Sequence, residues 1–392
     1  MKIALLSSTG DALGIAGRIL EEGHDISVFV KGRQTDITTP CKVVDSWRPM
    51  LSDREFFICD GVGWGQHSRL LSERGKKAFG CHDLIDYLSN NVPRRLDVLI
   101  GAGLQLVPHI IMDRETPLPP WSRALAYGVA PIGISDPLIL ECAEEIEWLQ
   151  STLVNGSQLI VQEYIGGYYA TVEGFFNSRD WVEPLFLFVS RRGMLDKQMS
   201  SIGFGLKRTE SGVSIAMRKL TRILRKVSYH GYVSLMIVIT ASGELLVRDV
   251  RFGLMSGSVE CVLESCSQKM STADVLFGVA DGYLSKIEAS WDYLASLRLS
   301  AVPVLKFHGS PVSGVSSKNS NHLWFTDLSA GGKMGNRTFS IAVATATGRE
   351  SREAISRVCR TASNINYVGK IVDDRLSFAA SDLHCLVNLG VI

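Results

Sequence analysis

The sequence lacks any excess of charge, because 41 lysine and arginine residues are balanced by 40 aspartate and glutamate residues, giving a formal net charge of +1. This balance gives no electrostatic case for nucleic acid or an anionic membrane as the main partner. Long apolar runs are also missing. The N-terminal run from Ile3 to Leu6 is too short for the core of a signal peptide, and nothing approaches an uninterrupted membrane span. We therefore expect a cytoplasmic protein.

The eight cysteines lack the spacing of a metal site or of a disulfide framework. The sequence contains no Cys-x-x-Cys pair and no paired histidine spacing. We interpret the cysteines as buried thiols of a reducing compartment, without a structural disulfide or a zinc site. With 392 residues, 46% of them apolar and 21% charged, the chain can bury a large core in two or three domains.

The N-terminal segment predicts a βαβ unit. Its elements are a strand from Lys2 to Ser7, a glycine-containing turn, a helix that ends near Glu22, and a strand from Asp25 to Val30. The glycines of the turn and helix follow the spacing of a phosphate-binding loop only loosely; they are Gly10, Gly14 and Gly17. We therefore interpret this segment as a tight strand-to-helix turn without a ligand.

A second glycine-rich loop follows the predicted strand from Phe56 to Cys59 and begins at Asp60. Glycine lets the backbone approach a ligand closely, so this loop is the candidate ligand loop of the first domain. Its candidate binding residues are Asp60, Gly61 and Gly63. A purely conformational role for the glycines is the alternative.

A β-hairpin is predicted between Gly231 and Gly253, because two runs rich in β-branched and aliphatic residues flank the turn-forming residues 241–243. The second strand ends in Asp249 and Arg251. A carboxylate and a guanidinium two residues apart project from the same face of a strand, which is a compact way to hold a metal or a phosphate. Asp249 is therefore the candidate metal ligand, and Arg251 the candidate phosphate contact.

This hairpin, with Gly-Tyr and Leu-Met in its first strand and Arg-Phe-Gly at the end of its second, resembles the ATP-grasp ligases. The resemblance is greatest to the phosphoribosylamine–glycine ligase family. It implies that a Glu and an Asn of the second strand hold Mg²⁺ on the phosphates of ATP and that the Arg contacts phosphate. Here Val247 stands at the Glu position and Asp249 at the Asn position, whereas Arg251 matches.

Two further segments are similar to the same family. The segment from Leu159 to Gly167 resembles the strand and hinge against which the family seats adenine. The resemblance implies four nucleotide-binding residues here, namely Gln162, Glu163, Tyr164 and Ile165. Arg191 stands where relatives have a lysine ahead of a glycine-rich loop, of which Ser200 to Gly205 is the expected remnant. Arg191 is therefore a second candidate for phosphate support.

Three features expected from the resemblance are missing. The sequence has no lysine from Ala78 through Asp196, where the family carries a lysine on a strand of its small lobe. Tyr168 and Tyr169 replace the acidic residue that holds the ribose, and Val247 removes a metal carboxylate. Each lost charge-assisted contact costs about 1.5–3 kcal/mol, so these changes together favour a nucleotide site that has lapsed.

The region from Ser214 to Val227 predicts one amphipathic helix whose outer face is basic. Five cations in nine residues suggest nucleic acid binding, but no aromatic residues interleave with them. We interpret these cations as a solvated helix face.

The resemblance spans almost the whole chain in the order of its elements. It implies an α/β and α+β fold class, with a Rossmann-like N-terminal domain at 1–92, a reduced ATP-grasp small lobe at 93–157, a large lobe at 158–294 and a small C-terminal α+β domain at 295–392. We expect Glu163 and Asp249 on facing strands of one large mixed sheet.

Two functions of different classes follow. The first is a catalytically lapsed ATP-grasp protein with a binding or scaffolding role, as a homo-oligomer or beside a paralogous subunit, in which Asp249 and Arg251 form a structural ion pair. The second is an active ligase that uses ATP and Mg²⁺ to activate a carboxylate as an acyl phosphate and passes it to an amine. We favour the first. A third interpretation is an unrelated α/β protein with chance motif matches.

Overall fold

The computed structural model describes residues 1–392 except for 33–37, 129–137, 155, 193–198, 207–210, 255–256, 289–291, 302–308, 329–331, 335–339, 373–374 and 391–392. The sheets and helices below are counted over the described residues. Within them, no helix is long and apolar enough to cross a membrane.

The N-terminal part is a parallel sheet with helices. Its strands are β1 (Lys2–Ser7), β2 (Asp25–Val30), β3 (Lys42–Val43), β4 (Phe56–Cys59) and β5 (Lys77–Phe79), in the order β3-β2-β1-β4-β5. Its helices are α1 (Leu13–Glu21), α2 (Met50–Asp53), α3 (Ser68–Glu73), α4 (Asp83–Asn90) and α5 (Val92–Gly101). The predicted βαβ unit is confirmed. Its strands are buried apolar runs, as expected for parallel strands covered on both faces.

A small antiparallel sheet follows. Its strands are β6 (His109–Met112), β7 (Ala124–Gly128), β8 (Leu138–Leu140) and β9 (Leu159–Glu163), in the order β6-β9-β7-β8, and one helix, α6 (Ala143–Ser151), accompanies it. Ala124, Ala126 and Val161 share a core with Ile146 and Leu149 of α6. Alternate residues point to opposite faces of a strand, so Ile160 instead joins the core of the large sheet.

The large sheet contains nine described strands. They are β10 (Tyr168–Asn177), β11 (Phe186–Arg192), β12 (Met199–Gly205), β13 (His230–Ile239), β14 (Leu245–Phe252), β15 (Tyr293–Ala301), β16 (Leu323–Phe325), β17 (Ser340–Gly348) and β18 (Lys370–Val372). The order is β14-β13-β10-β11-β12-β15-β17-β16, and β18 pairs with β15. The predicted hairpin is confirmed as β13 and β14, with an irregularity in register between Met236 and Ile237.

Six helices of the described chain pack around this sheet: α7 (Gly212–Arg218), α8 (Thr221–Lys226), α9 (Val259–Cys266), α10 (Thr272–Asp281), α11 (Ser351–Asn364) and α12 (Leu376–Asn388). The prediction of one helix over 214–227 is wrong, because α7 ends before Lys219 and α8 begins after Leu220. Both short helices bury apolar residues in the large core. Among the basic residues of this region, Arg218 pairs with Glu183, and Arg225 lies 3.1 Å from Asp180.

Strand β9 corrects a second prediction. It pairs with β6 on one side and β7 on the other, whereas β10 pairs with β13 of the large sheet. Glu163 and Asp249 therefore lie in different sheets, because the chain leaves the small sheet after Glu163 and enters the large sheet at Tyr168. The predicted boundary between the small and large lobes, after residue 157, would separate β9 from β6 and β7, the strands with which it pairs. The four-domain division as a whole stays a prediction.

The N-terminal sheet shares a core with the large sheet. Apolar residues of β1, β2 and β4 cluster with Phe175, Tyr232 and the buried faces of α9 and α10. The first glycine of α1, Gly14, packs directly on β16, because a Cβ there would lie 2.9 Å from the backbone carbon of Trp324. The loops after β1 and β4 are thereby held against the large sheet.

Candidate functional site

Asp249 is held by an arginine from α5. Arg95 Nε donates to Asp249 Oδ1 at 2.6 Å, and Arg95 Nη2 donates to Asp249 Oδ2 at 2.8 Å. Arg95 Nη1 donates to the carbonyl oxygens of Leu88 and Ser89, each at 2.9 Å. Arg95 is only 7% exposed. Burial lowers the pKa of this guanidinium, but the charge of Asp249 and the hydrogen bond to it together outweigh that effect and leave the pKa raised.

The expected ion pair between Asp249 and Arg251 is wrong, since the partner of Asp249 is Arg95. In the hairpin, Asp249 stands opposite Met236 and Arg251 opposite Ser234. The side chain of Arg251 is exposed, whereas the pair of Asp249 and Arg95 is largely buried. The phosphate role of Arg251 stays a prediction.

Val247, at the family's Glu position, is fully buried among apolar residues. Its backbone N–H donates to the carbonyl of Gln105 at 2.7 Å, and its carbonyl accepts from Val107 at 2.9 Å. The segment around Leu106 therefore pairs with the edge of β14 beside Val247.

Gln162 joins the two sheets. Its side chain is fully buried, and its Nε2 donates to the carbonyl of Arg248 at 2.9 Å. Its Oε1 and the hydroxyl of Tyr127 are both buried without a hydrogen-bond partner. Leu125 stands opposite Gln162 and Tyr127 opposite Ile160, so both polar groups lie on the face of the small sheet that meets the large sheet. Burial raises the pKa of Tyr127 strongly.

The backbone of the expected adenine hinge already has partners within the protein. The N–H of Glu163 donates to Pro108, and the N–H of Tyr164 donates to Arg123, at 2.9 and 3.0 Å. The carbonyl of Ile165 accepts from the hydroxyl of Tyr169 at 2.8 Å. A purine would have to displace these bonds to use the hinge.

Two aromatic rings beside the same hinge lie between two guanidinium groups. Arg123 lies 4.2 Å from the ring centroid of Tyr164, the rings of Tyr164 and Tyr169 are 5.8 Å apart, and Arg248 lies 5.0 Å from the ring of Tyr169. Such contacts stabilise each pair by about 0.5–1 kcal/mol where they are partly exposed. Burial raises the pKa of Tyr169 to about 12. Tyr169, one of the two tyrosines at the expected position of the ribose acid, therefore links Tyr164 beside the small sheet to Arg248 of β14.

The described residues around Asp249 do not form a ready-made magnesium site. Magnesium requires oxygen ligands in near-octahedral geometry, but both oxygens of Asp249 bind Arg95 and Val247 supplies none. Over the described ranges, no group of three or more His, Cys, Asp or Glu residues is placed to hold a metal ion. The metal role of Asp249 and the nucleotide roles of Gln162, Glu163, Tyr164 and Ile165 stay predictions.

Arg191 lies on β11 opposite Ser200 of β12. Its side chain and residues 193–198 lie outside the described part of the chain, so its phosphate role stays a prediction. The expected loop remnant from Ser200 to Gly205 is wrong, because these residues belong to strand β12 and pair with β11.

The Asp60 loop meets the end of β14. Asp60 is fully buried; its carboxylate accepts from the backbone of Ser8 at 3.1 Å and from the hydroxyl of Ser7. Its carbonyl accepts from the N–H of Leu254 at 2.7 Å. Burial raises the pKa of Asp60 to about 6, and the Ser7 hydroxyl partly opposes this.

Gly61 and Gly63, the two candidate glycines of this loop, differ in their surroundings and backbone conformation. The Cα of Gly61 would lie 3.0 Å from a Cβ at Gly253, and Gly63 has φ of +105°. The structure thus brings the Asp60 loop to the Arg-Phe-Gly motif. The conformational role of Gly63 has a physical basis in its positive φ, and the ligand roles of Asp60, Gly61 and Gly63 stay predictions.

A small polar pocket lies beside this junction. It is lined by Asp11, Leu254, Glu260, Arg298, Thr326, Ser340 and Val343. We call it the Glu260 pocket. Glu260 is 3% exposed, and its Oε2 has no hydrogen-bond partner. Arg298 Nε is also buried without a hydrogen-bond partner, so a carboxyl group and a guanidinium group each bring an unpartnered polar atom to the same space.

Burial raises the pKa of Glu260 to about 8, and Arg298 only partly counteracts it. None of the motifs in the sequence includes Glu260. All eight residues of α9 are buried, and two of them are glutamates, Glu260 and Glu264. Two acidic residues in an otherwise apolar helix were the available signal, because a buried carboxylate is costly unless it has a partner or a function.

Comparisons with solved structures identify the fold class. No family model matches the sequence, and no curated protein is significantly similar to it. Solved ATP-grasp proteins, in contrast, superimpose over most of the chain, so the chain has the ATP-grasp fold, as the sequence predicted. This fold combines the parallel N-terminal sheet with the two further sheets described above.

Three solved structures are representative. Phosphoribosylamine–glycine ligase from Thermotoga maritima has a TM-score of 0.65 at 14% identity, covering 95% of this chain and 99% of its own. N5-carboxyaminoimidazole synthetase from Staphylococcus aureus has a TM-score of 0.62 at 13% identity, covering 92% and 97%. The biotin carboxylase domain of 2-oxoglutarate carboxylase from Hydrogenobacter thermophilus, solved with MgADP and bicarbonate, has a TM-score of 0.68 at 11% identity, covering 95% and 92%. At sequence identities this low, the structural similarity shows only that these proteins share a fold.

Proposed function

We propose that this ATP-grasp-fold protein has lost ligase catalysis at the cleft between the small and large sheets and serves as a cytoplasmic binding protein. The observation that carries the proposal is the bidentate pair between Arg95 and Asp249. Breaking a buried ion pair by removing one partner typically costs about 3–5 kcal/mol. A magnesium ion that competes for Asp249 must overcome a penalty of this order.

The hinge contacts support the same proposal independently. The N–H groups of Glu163 and Tyr164 and the carbonyl of Ile165 are bonded within the protein, and Gln162 bonds the backbone of β14. Nucleotide binding would therefore exchange existing hydrogen bonds for new ones, at little net gain.

The Glu260 pocket is the binding site that we propose for this role. Its ligand is a small molecule that carries an amine or a carboxylate, because Glu260 and Arg298 present unpartnered polar atoms of opposite kinds. A bound group that satisfies these atoms removes the penalty of leaving them buried without partners. Assembly as a homo-oligomer or with a paralogous subunit is a further part of the proposal.

An active carboxylate–amine ligase that works through an acyl phosphate is the second candidate. It is favoured by the fold that this chain shares with solved ligases and with a carboxylase domain that binds MgADP. If the chain works in this way, Arg95 must release Asp249 when the nucleotide enters.

Calorimetric titration with Mg-ATP separates the two candidates. We expect no magnesium-dependent heat of binding up to millimolar nucleotide, for the wild type and for Asp249→Asn alike. Micromolar binding that needs magnesium and disappears in Asp249→Asn would overturn the proposal and establish the ligase.

The proposed ligand site has its own test, a thermal-shift screen of small amines and carboxylates. Compounds that stabilise the wild type should lose their effect in Arg298→Met. Arg352→Met, which changes an exposed arginine of α11, is the matched control and should respond like the wild type.

A further inference from the structure

The short segment 320–325 contacts three parts of the molecule at once. It contains a 3₁₀ turn, Ser320–His322, followed by β16, and we call it the latch segment. Arg18 of α1 lies 4.6 Å from the ring centroid of Trp324 and donates to the carbonyl of Asn321 at 2.8 Å. Together with the close approach of Gly14 to Trp324, these contacts fasten the N-terminal domain to this segment.

A chain of hydrogen bonds continues from the latch segment into the large sheet and α9. The indole of Trp324 donates to the hydroxyl of Thr345 at 2.9 Å, and this hydroxyl donates to Glu264 Oε2. The other carboxylate oxygen, Glu264 Oε1, lies 2.7 Å from Nδ1 of His322. His322 and Trp324 thus hold Glu264 from the same segment.

Glu264 and His322, which share a hydrogen bond in this series, differ in their access to water. The side chain of Glu264 is 6% exposed, whereas that of His322 is 43% exposed. His322 can therefore exchange its proton with solvent while the carboxylate it contacts stays buried. The hydrogen bond to Glu264 raises the pKa of His322, and burial, Arg18 of α1 and Arg357 of α11 oppose this.

The Glu260 pocket shares its walls with these elements. Glu260 lies one turn before Glu264 on α9, Asp11 lies just before α1, and Thr326 directly follows β16. A change in the distance between α9 and the latch segment therefore changes the pocket itself.

We propose that His322 and Glu264 form a proton-dependent latch that joins α1, α9 and β16 and so controls access to the Glu260 pocket. When His322 is protonated, its charge-assisted bond to Glu264 closes the latch. When His322 is neutral, the bond weakens and the latch segment opens more often. The link to ligand entry rests on the proposed binding role, whereas the latch itself does not.

Hydrogen–deuterium exchange of peptides covering residues 11–22 and 318–328 tests the latch without any ligand. His322→Lys supplies a permanent cation, His322→Gln a neutral group, and His384→Gln on α12 an exposed control. All proteins are compared at the same pH, so the intrinsic exchange rate is common to them. Each variant is first shown by its melting temperature to be folded.

At about pH 8, well above the ordinary histidine pKa, we expect the wild type to exchange like His322→Gln and faster than His322→Lys, because only the lysine variant keeps a cation beside Glu264. At about pH 5.5 the wild type should exchange like His322→Lys, and His384→Gln should follow the wild type throughout. Equal exchange in all four proteins at both pH values would overturn the proposal.

If a variant fails to fold, the NMR titration of His322 in the wild type decides, since a pKa at or below its ordinary value excludes the latch. Either failure leaves the Mg-ATP titration and the proposed function untouched.

Discussion

Arg95 and Asp249, 154 residues apart in the sequence, form a bidentate ion pair that joins α5 to the last strand of the central hairpin. Asp249 also accepts from the N–H of Val250 at 2.8 Å. The carboxylate that sequence analysis assigned to a metal therefore stabilises the packing of α5 on the large sheet.

Removing Arg95 should destabilise the fold. We expect Arg95→Met to lower the free energy of unfolding by about 3–5 kcal/mol, because it leaves Asp249 buried without its partner. The double variant Arg95→Met with Asp249→Leu should recover most of that loss, since it removes both charges. Urea denaturation of the single and double variants measures the difference.

Arg94→Met is the matched control, because the neighbouring Arg94 is exposed and lies 3.5 Å from an exposed Asp97. It should change stability by less than about 0.5 kcal/mol. If Arg95→Met behaves like this control, or if the double variant is no more stable than the single one, the pair does not have the proposed role.

Local patterns predicted those parts of the fold that depend on neighbours in sequence. Alternating and β-branched runs predicted β1, β2, β4 and the hairpin of β13 and β14, because strand propensity and turn residues act over a few positions. The sheet to which β9 belongs was not predictable in this way. Its pairing with β6 and β7 depends on contacts between segments that β8 and α6 separate in the sequence, which no periodicity records.

The site was predicted less well for the same physical reason. The position of Asp249 on a strand was predictable, but its partner is set by how α5 packs on the sheet. Glu260 and Glu264 lie in a helix whose complete burial follows from packing against both the N-terminal and large sheets. His322 gave no signal, because a lone histidine in a polar segment resembles any surface residue.

Glu260 should make stability fall as pH rises. Its folded-state pKa is about 8, against an ordinary value of 4.5, so the folded protein holds a proton that the unfolded chain releases. The stability is fully present below about pH 4.5 and is lost progressively up to about pH 8. At about 1.4 kcal/mol per pH unit the total loss is at most about 5 kcal/mol.

Glu260→Gln removes this titration and should be more stable than the wild type at about pH 8, with little difference near pH 5. Melting temperatures across this pH range measure the effect. Glu350→Gln, at an exposed position before α11, should follow the wild-type curve. A Glu260→Gln curve parallel to that of the wild type would show that Glu260 does not titrate in this window.

Two glycines of α1 should respond in opposite ways to alanine. A Cβ at Gly14 would lie 2.9 Å from the backbone of Trp324, whereas at Gly17 its nearest neighbour, a Pro40 side-chain carbon, is 4.0 Å away. We expect Gly14→Ala to destabilise by roughly 1–3 kcal/mol through overpacking. Gly17→Ala should stabilise by up to about 1 kcal/mol, since alanine is the better helix former. Chemical denaturation of both variants checks this, and a Gly14→Ala protein as stable as Gly17→Ala would contradict the close packing of α1 on β16.

Gly253 should be hard to replace at the junction of the N-terminal and large sheets. It has φ of +105°, and a Cβ there would lie 2.5 Å from the carbonyl oxygen of Asp60, which also accepts the N–H of Leu254. The backbone fixes the position of the Cβ, and the atom it meets is a backbone carbonyl oxygen. No side-chain rotation can therefore relieve this contact. We expect Gly253→Ala to cost roughly 3 kcal/mol or more, from left-handed strain and the clash together.

Gly23 separates these two contributions to the cost at Gly253. It has φ of +85°, but a Cβ there would meet no atom within 4 Å, so Gly23→Ala should cost only about 1–2 kcal/mol. The excess cost of Gly253→Ala over Gly23→Ala, measured by urea denaturation, reports the contact between the Asp60 loop and the Arg-Phe-Gly motif. Limited proteolysis should also cut Gly253→Ala more readily in residues 60–65 than it cuts Gly23→Ala. Equal costs and equal cleavage would mean that the Asp60 loop does not rest on the end of β14.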